Sequence, residues 1–244
     1  MQSFKLEIDG NALYEDSKKL SCSARILSDM KNVLMDPKVI NENNRYQQIY
    51  FMFRGTGMDR NRALFEKYAI RYDVTIIPKL DLGREFNKTL GHYHPEAEKG
   101  LSYPEIYEVI KGEGLLLMQR RLEDGSFDIE VMHIKGGDKV LVMPNYGHIT
   151  INAGLGPLVM ANLVNDNFES DYKSIERMHG GAIYAVADGT YVINRNYKAM
   201  HITEMDNAAV VPFIKKSQSI YDAFIEEPDK FDFLNKPSML KGII

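Results

Sequence analysis

His92 and His94 stand two residues apart in the stretch Thr89-Leu-Gly-His-Tyr-His-Pro-Glu-Ala-Glu98. On a β-strand that spacing points both imidazoles to the same face. Glu105 opens the strand-like run Glu105-Ile-Tyr-Glu-Val-Ile110, and His148 lies in Gly147-His-Ile-Thr-Ile-Asn152. Three neutral imidazoles and one carboxylate suit a divalent first-row ion such as iron, manganese, nickel or zinc. Two adjacent imidazoles add little packing to one strand face, and a carboxylate heading an apolar strand is costly to bury without a partner. The four residues therefore predict a metal site. Glu96 and Glu98 fall in a polar, Pro-containing loop and read as solvated, and Glu108 lies on the strand face opposite Glu105 and Tyr107. Thr150 and Asn152 share a face with His148 and could support it from behind. His133, His179 and His201, each alone on its segment, read as hydrogen-bonded structural residues.

The elements that must position these groups are mostly short strands. Arg45 to Phe53, rich in Tyr, Ile and Phe, reads as a strand, broken by Gly55-Thr-Gly57. Over 69–78 the pattern alternates: Ile70, Tyr72, Val74 and Ile76 share one face, and Arg71, Asp73 and Thr75 the other. Strands at 115–121 and 127–133 flank an Asp-Gly turn, as do strands at 182–186 and 190–194, a strong hairpin signal in both places. Further strands are expected at 139–144 and 158–164. Short helices are expected over 28–36 and 59–68, the second with Ala63 and Leu64 inward. Close, regular strand spacing without long helices predicts an all-β closed barrel or sandwich and disfavours a parallel α/β fold. Residues 1–195 read as one domain with an irregular N-terminal arm. Residues 196–244 read as a C-terminal extension, with a broken helical pattern over 212–226, packed on the barrel or on a partner chain.

Composition narrows the function classes. The 244 residues are 44% hydrophobic and 26% charged, ordinary values for a globular chain. A net charge of -4 without a basic run disfavours nucleic acid as a partner. No apolar run approaches the ~20 residues of a membrane span, and the N-terminus has no apolar signal region. Cys22 is the only cysteine, so no intrachain disulfide forms; this fits a cytoplasmic setting, and Cys22 itself reads as a packed or surface thiol.

Gly-His-x-His, then Pro-Glu-Ile-Tyr with Gly-x-Gly, then Pro-x-x-Gly-His-x-x-x-Asn resembles the two cupin motifs. Ten residues separate His94 from Glu105, a longer first motif than in most cupins. That length, with Thr-x-Gly-His-Tyr-His and Pro-Glu-Ile-Tyr-Glu, resembles the cupin-type glucose-6-phosphate isomerases of archaea and some bacteria, over roughly 25–172. The resemblance implies a cupin double-stranded β-helix and His92, His94, Glu105 and His148 as ligands of one divalent ion per subunit, Fe²⁺ first, with Mn²⁺, Ni²⁺ or Zn²⁺ as alternatives. It implies Thr75, Thr89 and Gly91 as phosphate contacts, with Tyr50, Tyr107 and Tyr172 around the sugar. Glu105 becomes the candidate base, with Tyr107 hydrogen-bonding a sugar hydroxyl or orienting Glu105. A histidine found in some members is Ser170 here, and a tyrosine near Val164 is absent. Strict alternation sets Thr89 on the face opposite His92 unless a bulge at Gly91 resets it. Lys79, Arg84 and Lys88 could add charge to a phosphate site but read as solvated loop residues. A homodimer follows by analogy with cupins. Cupin dioxygenases, oxidases and decarboxylases with the same ligand set, and non-catalytic sugar-binding cupins, are the competing classes.

Overall fold

The computed structural model of the protein describes residues 6–242, apart from 199, 206–210 and 212. The first five residues of the expected arm, Pro212 at the head of the expected helical pattern, and 243–244 at the end of the expected extension lie outside the described residues.

Twelve strands build two facing sheets. In chain order they are β1 (Ser23–Ile26), β2 (Gln48–Phe53), β3 (Ile70–Ile77), β4 (Asp81–Leu82), β5 (Glu85–Lys88), β6 (Glu105–Lys111), β7 (Glu113–Arg121), β8 (Phe127–Lys135), β9 (Lys139–Val142), β10 (Gly147–Asn152), β11 (Leu158–Asn165) and β12 (Met200–Met205). The first sheet runs β9-β6-β11-β3-β2-β1 and the second β12-β8-β7-β10-β5-β4. Neighbours are antiparallel except β12, which runs parallel to β8. Both Asp-Gly hairpins form: β7 with β8, and Ile183–Ala185 with Tyr191–Ile193. This is the two-sheet barrel of a cupin.

The alternation in β3 sorts the first sheet into two faces. Ile70, Tyr72, Val74 and Ile76 point away from the barrel interior, into a second apolar cluster with Ile106 and Leu163. The polar set Arg71, Asp73 and Thr75 points into the barrel cavity. The outward apolar face is covered by the chain's own C-terminal part. There α3 (Ile220–Glu226) and the turns Pro228–Leu234 and Pro237–Gly242 follow α1 (Arg62–Tyr68) and α2 (Lys173–Arg177) in the chain. Phe224, Phe231 and Phe233 are buried there with Phe65, in tilted and edge-on ring contacts such as Phe65–Phe224 at 4.9 Å.

Three local expectations change. The helix expected over 28–36 is only a 3-10 turn, Leu27–Met30, in which the Asp29 carboxylate accepts from the Ile26 N–H. A segment that short gains too few backbone bonds to sustain an α-helix. In α1 the buried residues are Phe65 and Tyr68; Leu64 is partly buried against the same cluster as expected, while Ala63 is exposed, because contact with Phe224 sets the helix phase. Lys88, expected in solvent, is 4% exposed. It ion-pairs with Glu85 three residues earlier and donates to the Val33 carbonyl, so its charge is satisfied outside the cavity.

Candidate metal centre and substrate cavity

His92 and His148 meet where two chain segments exchange backbone hydrogen bonds, His92 N–H to the His148 carbonyl and His148 N–H to the His92 carbonyl. The Thr89 N–H donates to the Thr150 carbonyl, and the Thr150 N–H returns to the Thr89 hydroxyl. Two residues lie between Thr89 and His92 but only one between His148 and Thr150, so one extra residue is absorbed between the pairs. Gly91 absorbs it, with φ +83°, as the glycine of a β-bulge does. A Cβ at Gly91 would sit 2.4 Å from Ile149 Cγ1. The bulge turns Thr89 and His92 toward the same cavity. Gly147, just before His148, is equally constrained: a Cβ there would lie 2.5 Å from the Tyr93 ring.

His94 enters from the same loop, and Glu105 heads β6. One ligand atom from each of His92, His94, Glu105 and His148 lies within 4.8 Å of all the others. His92 Nε2 is 3.2 Å from His94 Nε2, and Glu105 Oε2 is 3.1 Å from His148 Nε2 and 3.4 Å from His94 Nε2. Glu105 and His148 are 3% and 2% exposed. Burial, with the neighbouring imidazoles adding to it, holds His92 well below its ordinary pKa. Burial likewise lowers His94, to about 4, against the opposing pull of Glu105. Burial disfavours ionised Glu105, but His148 and His94 outweigh it and the carboxyl lies below its usual range. His92 and His94 are thus neutral imidazoles and Glu105 a carboxylate, the forms that ligate metals. Glu105 Oε2 and His148 Nδ1 are buried without a hydrogen-bond partner, and a buried carboxylate oxygen left that way costs free energy. Three imidazole nitrogens and a carboxylate with an unpartnered oxygen fit a divalent ion.

The surrounding residues shape the cavity, of about 440 Å³. Tyr107 hydrogen-bonds His148 Nε2 at 3.2 Å and also Glu105; burial first, and then Glu105, push its pKa well up, so it stays a donor. Thr75 and Thr89 line the cavity, and the Thr89 hydroxyl accepts from the Thr150 N–H at 3.0 Å. Tyr172 stands 5.4 Å from His92, ring to ring. The Tyr50 hydroxyl accepts from Arg25 Nε at 3.3 Å. Phe168 caps His94 at 4.6 Å while stacking on Tyr103. Ser170 and Val164 also line the cavity.

The profile of the family described as Glucose-6-phosphate isomerase (GPI) matches residues 24–201. The chain belongs to the glucose-6-phosphate isomerase family. It is similar to the glucose-6-phosphate isomerase of Thermococcus litoralis, 26% identical over 80% of this chain and 94% of that one. The enzyme of that name from Thermococcus onnurineus is 28% identical over 66% of this chain and 76% of that one. Among solved structures, an oxalate decarboxylase from Bacillus subtilis superposes with a TM-score of 0.35, at 18% identity, over 49% of this chain and 26% of that one.

In this member of the family the cavity holds groups that sequence reasoning missed. Arg54, Arg71, Asp73 and Asn162 line it. Asp73 accepts from Arg71 Nε, from Arg54 Nη1 and from the Gly55 N–H. The polar face of β3 was the available signal; what it faced depended on strand register. Arg25, which joins Tyr50 to the Tyr172 ring at 5.6 Å, was likewise missed. His133 pairs with Glu204 at the surface, away from the four-residue cluster.

Proposed function

We propose that this chain interconverts D-glucose 6-phosphate and D-fructose 6-phosphate, using one divalent ion held by His92, His94, Glu105 and His148. The observation that carries the reading is the convergence of these four groups in one cavity of a glucose-6-phosphate isomerase family member. Fe²⁺ is the proposed ion, with Mn²⁺, Ni²⁺ and Zn²⁺ compatible with the same donors. Bound there, it supplies a Lewis acid toward the sugar's C1 and C2 oxygens.

The protein groups divide the remaining work. Glu105, with its orphaned oxygen, is the proposed base that carries a proton between C1 and C2. Tyr107 orients Glu105 and donates to a sugar hydroxyl. Thr75, Thr89 and the Gly91 N–H hold the phosphate, and Tyr50 and Tyr172 flank the sugar. Tyr172 and Phe168 limit water access above His92 and His94. A hydride shift would use the same ligands without a base. The test is isomerisation of glucose 6-phosphate under nitrogen, before and after removing and restoring metal. Oxygen uptake or carbon dioxide release in place of isomerisation would overturn the reading in favour of an oxidase or decarboxylase.

A homodimer in a cytoplasmic setting is proposed alongside. Free, exposed Cys22 accords with a reducing compartment, and no helix among the described residues is long and apolar enough to cross a membrane. Light scattering in solution tests the dimer.

A further inference from the structure

The inner face of the first sheet is arranged in tiers, read from the strand register. Thr75 pairs with Met52 on one side and Met160 on the other. Two residues along β3, Asp73 pairs with Asn162, which pairs in turn with Tyr107. Two residues further, Arg71 pairs with Val164, the level at which Glu105 heads β6. Successive tiers are about 6.6 Å apart, two strand residues. A substrate with its phosphate at Thr75 and its reacting carbons at Glu105 must therefore cross the middle tier of Asn162, Asp73 and Arg54.

Within that tier Asn162 is anomalous. It is 6% exposed, and what exposure it has is to the cavity. Its carboxamide makes no hydrogen bond to any described residue. Asp73, by contrast, is saturated by three donors, and so acts to fix Arg54. No group of the protein competes for it, so this carboxamide is free to be completed by water or by a ligand in the cavity. The carboxamide has one acceptor oxygen and a donor NH₂, and two neighbouring hydroxyls present the complementary pair.

We propose that Asn162 is a specificity-determining residue that reads a vicinal pair of hydroxyls in the middle of the hexose chain, with Arg54, aimed by Asp73, donating to the same stretch. The inference rests on the proposed sugar-phosphate substrate and assigns the part of that substrate between phosphate and metal. Its recognition is selective because a hydroxyl that is missing leaves the carboxamide unpaired, whereas an apolar wall would tolerate the loss.

The test compares wild type with Asn162→Leu, similar in volume but unable to hydrogen-bond, on glucose 6-phosphate and its 3-deoxy and 4-deoxy analogues. Binding of the non-reacting alcohol sorbitol 6-phosphate to the metal-loaded proteins is measured in parallel by calorimetry. Wild type is expected to discriminate against at least one deoxy analogue by roughly 5-fold or more, the loss of one to two neutral hydrogen bonds. Asn162→Leu is expected to raise KM for the parent by a similar factor, to erase that discrimination, and to keep its metal. Wild-type indifference to both deoxy analogues overturns the proposal whatever the variant does. So does full discrimination retained in Asn162→Leu, or in Asn162→Ala should the leucine variant not fold. If glucose 6-phosphate is not turned over, the isomerase reading fails separately, and sorbitol 6-phosphate affinity still decides: equal affinity in wild type and variant, or no binding to wild type, overturns the role of Asn162.

Discussion

His94 Nδ1 and the Tyr103 carbonyl oxygen lie 2.9 Å apart. A carbonyl only accepts, so this contact puts the proton on Nδ1 and leaves the Nε2 lone pair facing His92, Glu105 and His148. The ring is held in the tautomer that could ligate an ion through Nε2, by a contact of the kind that commonly orients metal-bound histidines. Chelation with EDTA is expected to abolish isomerisation and Fe²⁺ or Mn²⁺ to restore it. His148→Ala is expected to lose bound metal along with rate, both checked by elemental analysis and assay. Full activity in demonstrably metal-free protein would sink the metal-dependent reading.

Glu105 is proposed both to ligate and to move a proton, and the two roles separate experimentally. Glu105→Gln keeps the size of the side chain while removing its charge and basicity. With metal saturating, a deficit of ~10² or more in kcat is expected to persist, the usual contribution of a positioned base. Incorporation of solvent deuterium at C1 or C2 during turnover is the accompanying observation. Complete retention of the substrate hydrogen at long times would assign the step to a hydride shift and leave Glu105 as a ligand alone.

The C-terminal segment lies against the same chain's barrel, with Phe224 fully buried among Phe65, Tyr68 and Phe231. Phe224→Ala is expected to destabilise the fold by about 3–5 kcal/mol through lost burial and a residual cavity. Because this cluster lies on the outer side of the sheet, metal content of the folded fraction should be unchanged. Denaturant unfolding checks the first, and a loss under 1 kcal/mol, the scale of a surface change, would mean the segment is not integral to the fold.

The cluster of His92, His94, Glu105 and His148 was legible because its signals are local: a two-residue histidine spacing, a carboxylate at a strand head, a histidine after a glycine. The barrel was legible from alternation and Asp-Gly turns. The middle tier of the cavity was not, since Asn162, Asp73 and Tyr107 are far apart in sequence and meet only through antiparallel register. A polar residue on an alternating strand reads the same whether it faces water or a cavity. Lys88 misled for a similar reason, because an ion pair with Glu85 in the interior looks in sequence like two charges on a loop. The helix phase at Phe65 depended on Phe224, a partner far along the chain.

Thr89 accepts a hydrogen bond from the Thr150 N–H, which orients its hydroxyl and leaves its own proton to donate into the cavity. The Thr75 hydroxyl has no partner among the described residues, and both threonines line the cavity, as does Gly91. A phosphate dianion held there would accept from both hydroxyls, each a charge-assisted hydrogen bond worth roughly 1.5–3 kcal/mol. Thr75→Val and Thr89→Val should therefore weaken glucose 6-phosphate binding by about 10- to 150-fold each. The phosphate does not react, so the loss should fall mainly on KM, with kcat less affected. Bound metal should stay at the wild-type level, which separates these variants from His148→Ala. Discrimination of glucose 6-phosphate from unphosphorylated glucose should shrink in both. Arg54 and Arg71 offer the competing location for the anion, already engaged by Asp73. If KM is unchanged in both threonine variants but rises for Arg54→Gln together with lost phosphate discrimination, the phosphate sits at the arginines and not at the threonines.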